Sequence, residues 1–282
     1  MLGTVAVLGP IFFWLYERSM PALYDRSQSE PSLHAYPAGD PAYCAPGSRP
    51  GPAGSSPREK TADGIGYLVR TPANYDATRA HPLVVVYAPH GANRFLSERY
   101  VGLTHSFTRE GFVVAYADHR GIEQRALAAL GRLPAEIVTR WCVDERRIFL
   151  TGHSDGGTTA TALVVLGLAK PIPAAIAPSA AGFRGEDLAA YTCPAPLPVL
   201  IFHSKEDELF PGYGGQAAAW WARCNRCGIS PEVRFDGCEV YASCDGGAET
   251  MYCPGRGPHI DWPRRNDLMI DFFRSVGHTL SK

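Results

Sequence analysis

Residues 147–157 read Arg-Ile-Phe-Leu-Thr-Gly-His-Ser-Asp-Gly-Gly, and this stretch decides the fold. The apolar run through Leu150 has the character of a strand covered on both faces. It ends at Gly152, and Gly156-Gly157-Thr158 opens a helix-compatible run reaching Leu168. Between the two, Gly152 to Gly156 fits G-x-S-x-G. A chain with 29 glycines produces that pattern easily, so its placement between strand and helix carries the weight. A sharp strand-to-helix turn strains the backbone of the central serine and needs small neighbours where strand and helix approach. It also sets the serine hydroxyl at the positive end of a helix, where developing negative charge is stabilised.

Outward from this turn the same alternation repeats. Residues 66–70, 82–87 (PLVVVY), 112–117 (FVVAYA), 174–177 and 198–203 (PVLIFH) read as strands. Residues 122–133 and 266–276 carry apolar residues at helical spacing. Strand and helix in alternation predict an α/β fold, a mostly parallel central sheet with helices on both faces. Sites in such sheets form at the carboxyl ends of the strands.

That rule selects the remaining chemistry. A serine hydroxyl needs a base to take its proton, and the base needs an acceptor to fix its tautomer. In chain order the acid follows the nucleophile and the histidine comes last. After the strand at 198–203 come Glu206, Asp207 and Glu208; Asp207 is preferred, with Glu206 second. Of the nine histidines only His259 and His278 follow this acid, and His259 lies in a Gly/Pro-rich loop before the last helix. Ser154, Asp207 and His259 are therefore the expected catalytic residues. An oxyanion hole needs two backbone donors. The N–H of Asp155 supplies one, and the loop after residue 87 the other, from Ala92 or alternatively Gly91.

These segments resemble the polyhydroxybutyrate depolymerase and feruloyl esterase-like family of α/β-hydrolases. PLVVVYAPHG, VDERRIFLTGHSDGG, AAIAPSAAG, PVLIFHSKEDELFPGYGG, WARCNRC, VYASC and GPHIDWP match in order from about residue 67 onward. The resemblance implies the α/β-hydrolase fold and places nucleophile, acid and base on Ser154, Asp207 and His259. It implies a disulfide between Cys227 and Cys244. It sets His90 and Trp262 beside the substrate, His90 as a support and not a second base. Three features depart from the family pattern. Asp155 puts a carboxylate after the nucleophile, the loop reads Ala-Pro-His-Gly, and residues 118–143 are short of the usual insertion.

The bulk properties agree. The 282 residues suffice for one large domain, and a formal charge of -1 gives no reason to expect nucleic acid or an anionic membrane as partner. Eight cysteines, five of them between 224 and 253, lack the second C-x-x-C of a zinc ribbon and read as disulfides of an oxidising compartment. Residues 1–26 read as a signal or anchor-like segment, interrupted by Gly9-Pro10 and lacking a preceding positive charge. Residues 27–60 read as a Pro/Gly-rich linker, with Cys44 available to tie it to the body, and 61–282 as the catalytic domain.

The expectation is an exported, secreted or periplasmic, serine carboxylic-ester hydrolase for feruloyl, acetyl or hydroxyalkanoate esters, free or on a polymer. It uses no cofactor and no catalytic metal, and meets a membrane only through an uncleaved N-terminus. A serine peptidase of the same fold and a non-catalytic surface protein are the alternatives.

Overall fold

The computed structural model describes residues 42–234 and 236–279. The expected signal segment and the first part of the expected linker lie outside the described residues. The strands are β1 Ser55–Lys60, β2 Gly66–Arg70, β3 His81–Tyr87, β4 Val113–Ala117, β5 Val143–His153, β6 Ala175–Ser179, β7 Val199–Ser204, β8 Glu232–Val233, β9 Glu239–Tyr241 and β10 Thr250–Gly255. The helices are α1 Arg94–Val101, α2 Thr104–Arg109, α3 Gln124–Arg140, α4 Asp155–Val165, α5 Gly185–Ala189, α6 Tyr213–Cys224 and α7 Asn266–Thr279.

All the strands join one sheet in the order β1-β2-β4-β3-β5-β6-β7-β10-β9-β8. Its centre, from β4 through β10, is parallel, and antiparallel strands close both edges. The pleat explains the composition of the central strands. Leu83, Val85 and Tyr87 of β3 enter a core shared with Leu130 of α3, Leu163 of α4 and Trp221 of α6. Val84 and Val86 enter a second core with Phe95 of α1, Phe107 of α2 and Phe273 of α7. Successive side chains point to opposite faces, so a strand covered twice has no polar alternation to show. Burying one such side chain is worth about 1.5–3 kcal/mol.

Two elements depart from the expectation. The linker reading fails from residue 42 onward: β1 pairs with β2, Cys44 is bonded to Cys142, and Gly51 donates to the Arg140 carbonyl at 2.7 Å. A Cβ on Gly51 would meet the Trp141 ring at 2.4 Å, so its glycine is a packing requirement. This segment is ordered by backbone hydrogen bonds and a disulfide, contributions that its polar composition hides. Helix α3 continues past residue 133 through Pro134. Proline lacks the N–H that would reach the Leu130 carbonyl. The buried Tyr87 hydroxyl donates to that carbonyl instead, at 3.3 Å.

All eight cysteines are paired, Cys44–Cys142, Cys193–Cys224, Cys227–Cys244 and Cys238–Cys253. The implied Cys227–Cys244 bridge is among them, and Cys224 and Cys227 go to different partners. Among the described residues no helix is long and apolar enough to cross a membrane.

Candidate active site

The turn between β5 and α4 has the strain that the motif demands. Ser154 sits at φ 54°, ψ -118°, a conformation uncommon for a residue with a Cβ. Its neighbours are glycines by necessity. A Cβ on Gly156 would lie 2.0 Å from the Tyr87 carbonyl oxygen, and one on Gly157 2.5 Å from that of Ser179.

Asp207 and His259 follow adjacent strands. β7 and β10 pair in parallel, ending on Ser204 opposite Gly255, so the loops that follow rise side by side. Ser154 Oγ–H donates to His259 Nε2 at 2.9 Å, and His259 Nδ1–H donates to Asp207 Oδ2 at 2.8 Å. The geometry thus brings the three expected residues together in one relay. Asp207 Oδ1 accepts from the backbone N–H groups of Leu209 and Phe210 at 2.9 and 2.8 Å. Burial opposes its ionisation, but the hydrogen bonds from His259 and Phe210 prevail and hold its pKa below the ordinary value. Glu206, the second choice, instead accepts from the Gly257 N–H at 2.8 Å, and Glu208 from the His259 N–H at 3.3 Å. Both brace the loop that carries the base.

Two further histidines fix this arrangement. His153 is buried, its Nε2–H donates to the His259 carbonyl at 2.8 Å, and its Nδ1 accepts from the Ser179 hydroxyl at 3.0 Å. Desolvation pushes its pKa down to about 4, so it is a neutral strut at pH 7. His203 donates to the Phe210 carbonyl at 2.9 Å and lies 3.2 Å from Asp207 Oδ2; burial lowers its pKa as well. The sequence marks both only as strand-end histidines. Their roles come from loops more than 100 residues away for His153, at a separation of 106, and from the turn at Phe210 for His203.

The oxyanion expectation needs a correction. The Ala92 N–H closes a turn onto the Pro89 carbonyl at 3.0 Å and is already spent. Among the described residues the N–H groups of Gly91 and Asp155 donate no hydrogen bond, and Gly91 has φ +71°, which glycine adopts freely. Of the two residues expected on this loop, Gly91 therefore remains the candidate second donor.

Ser154 and His259 open onto a cleft of about 670 Å³ whose lining includes Pro89, His90, Leu96, Tyr100, Leu209 and Ile260. His90 stands on its rim. Trp262 does not line this cleft: it is 6% exposed, belongs to the second core and donates to Asn266 Oδ1 at 2.9 Å. It borders instead an adjoining cavity of about 480 Å³, together with Tyr100, Asp207 and His259. Tyr100 takes the wall position instead, its hydroxyl donating to the Ile260 carbonyl at 2.5 Å. Nothing in the sequence distinguishes it from other helix tyrosines.

No family model matches the chain. Feruloyl esterase B of Piromyces equi is 27% identical over 225 residues, covering 67% of this chain and 41% of that protein. The chain therefore spans less than half the length of this curated relative. The structure of Thermogutta terrifontis esterase 2 phosphonylated by cyclosarin superposes with a TM-score of 0.55 at 18% identity, covering 82% of this chain and 95% of that one. Acetyl xylan esterase from Aspergillus awamori gives 0.54 at 16% identity, covering 79% and 99%. The chain has the α/β-hydrolase fold. Ser154 sits at the strand-to-helix turn where that fold has its nucleophile elbow, and Asp207 and His259 follow β7 and β10.

Proposed function

We propose that the chain is an exported serine carboxylic-ester hydrolase that works through an acyl-enzyme on Ser154. The observation carrying this reading is the unbroken relay from Ser154 Oγ through His259 to Asp207, opening onto an apolar cleft. As Ser154 Oγ attacks the ester carbonyl carbon, its proton passes to His259 Nε2. The Asp207 carboxylate stabilises the imidazolium and keeps Nδ1 protonated throughout. Charge builds on the carbonyl oxygen, where the N–H groups of Asp155 and Gly91 await it. Losing one such donor costs about 2.7–4 kcal/mol. His259 then protonates the departing alkoxide, leaving the acyl group on Ser154. Water repeats the sequence: it gives its proton to His259, its oxygen bonds to the acyl carbon, and Ser154 leaves with the proton restored.

Leu96, Leu209 and Ile260 are exposed large apolar residues, and all three face the cleft. They suit an aryl or short aliphatic acyl group, in keeping with the feruloyl esterase named among the relatives. Four disulfides support an oxidising compartment.

Stopped-flow hydrolysis of p-nitrophenyl acetate and methyl ferulate, beside a peptide anilide, tests the reading. We expect both esters to be cleaved, an initial burst of nitrophenol near one per chain where deacylation limits, and no appreciable anilide cleavage. Anilide turnover matching ester turnover would move the reading to a peptidase. Ester cleavage that survives Ser154→Ala would refute the mechanism.

A further inference from the structure

Asp155 lends its backbone amide to the oxyanion site, and its carboxylate does something separate. Asp155 Oδ2 lies 3.3 Å from His90 Nδ1 and 3.1 Å from His119 Nε2. The three side chains come from two loops and a helix start: His90 from the turn after β3, His119 from the loop after β4, and Asp155 from the first position of α4. The rings stand edge to face with centroids 5.0 Å apart, and all three ligand atoms fall within 4.8 Å of one another.

These separations have a metric meaning. Tetrahedral coordination at about 2.0–2.1 Å puts ligand atoms about 3.3–3.4 Å apart. The two observed nitrogen-to-oxygen distances are close to that edge already. Two imidazoles and one carboxylate favour zinc-class ions over calcium or magnesium, which prefer all-oxygen shells. With every cysteine in a disulfide, no thiolate competes for such an ion. A network of purely structural hydrogen bonds has no need of an exposed imidazole, yet the His90 side chain is 81% exposed. An ion here would also find its remaining position open to solvent.

We propose that His90, His119 and Asp155 form a binding site for a divalent zinc-class ion, and that occupancy reversibly inhibits hydrolysis. On binding, the ring protons facing Oδ2 move to the far ring nitrogens, and the ion takes their place. Inhibition follows from position. His90 belongs to the Pro89–Ala92 turn that lines the cleft, and Asp155 adjoins Ser154. An ion bridging them pins the two halves of the oxyanion site and narrows the cleft on the His90 side. The binding half of the proposal stands on geometry alone, whereas the inhibitory half rests on the esterase reading.

The test uses untagged full-length protein freed of metal with EDTA. Zn²⁺ is titrated calorimetrically, and Co²⁺ is followed by its visible absorption. We expect one ion per chain and a Co²⁺ spectrum of low coordination number. His119→Asn should weaken binding at least as much as the roughly 10–100-fold that loss of a supporting partner costs at metal sites. His105→Asn, an exposed histidine elsewhere, should leave binding intact. Zn²⁺ should inhibit ester hydrolysis by wild type, with recovery in EDTA, whereas His119→Asn should stay active in excess Zn²⁺. No binding below millimolar Zn²⁺, or binding indifferent to His119→Asn, would overturn the site. Site-specific binding with undiminished hydrolysis would overturn the inhibition. If the protein hydrolyses no ester at all, the esterase reading fails, and the Co²⁺ spectrum still decides the site.

Discussion

Two carboxylates flank Ser154, and each meets two imidazoles, yet they are built for different work. Asp207 is buried at 2% exposure, with one oxygen saturated by two backbone amides and the other facing His259 and His203. Asp155 has a side chain 26% exposed, and among the described residues only His90 and His119 meet its carboxylate, both at one oxygen. The difference lies in supporting donors and access to water. A carboxylate fixed by amides in a dry setting holds an imidazole in one orientation and one tautomer. A carboxylate on a wet rim, with an oxygen to spare, is suited to exchange partners, including a cation.

Mutating the two in parallel gives the largest expected contrast. Asp207→Asn should lower kcat roughly ten-thousand-fold by reversing the tautomer of His259, with KM little changed. Asp155→Asn keeps the backbone amide and loses side-chain hydrogen bonds of about 1 kcal/mol, so kcat should fall less than tenfold. Steady-state kinetics on p-nitrophenyl acetate in EDTA checks both. Equal losses would erase the distinction.

Acid stability probes the dry side next. His153, and the distant His81 that faces the Gly111 carbonyl, are both held down to about 4 chiefly by burial. Unfolded, each takes a proton near 6.5, so between about 6.5 and 4 the unfolded chain binds more protons. Stability is therefore complete above this window and falls as pH drops through it. The loss is about 3 kcal/mol for each group. Urea midpoints at pH 7 and pH 4.5 measure it; a midpoint independent of pH would contradict the assigned neutrality.

A smaller effect is expected from His153→Leu. The change leaves the His259 carbonyl without its donor and should cost about 1–3 kcal/mol at pH 7. The cost should shrink toward pH 4.5, because the variant no longer pays for protonating this ring. A cost that stays constant with pH would mean that His153 acts by packing alone.

How much of this was legible beforehand follows the same division. The central strands announce themselves because they are buried on both faces, as PLVVVY shows. β1 and β10 do not: Pro57 and Pro254 interrupt them, and their flanks are glycine and polar residues. Ser154, Asp207 and His259 are readable because chain order and strand ends constrain them. His153 and His203 gain their roles only when distant loops close over them. The cluster at Asp155 is harder still, since two loops and a helix start must meet before it exists. Trp262 is legible only as a neighbour of the motif: packing puts its ring in the second core, and it borders the cavity beside His259 and not the cleft itself.

The central claim is that Ser154 is the nucleophile activated by His259. A fluorophosphonate probe, followed by intact mass and peptide mapping, tests it most directly. The account predicts one adduct per chain, on Ser154, with labelling much slowed in His259→Ala. An adduct on any other residue, or labelling of Ser154 at an unchanged rate without His259, would contradict it.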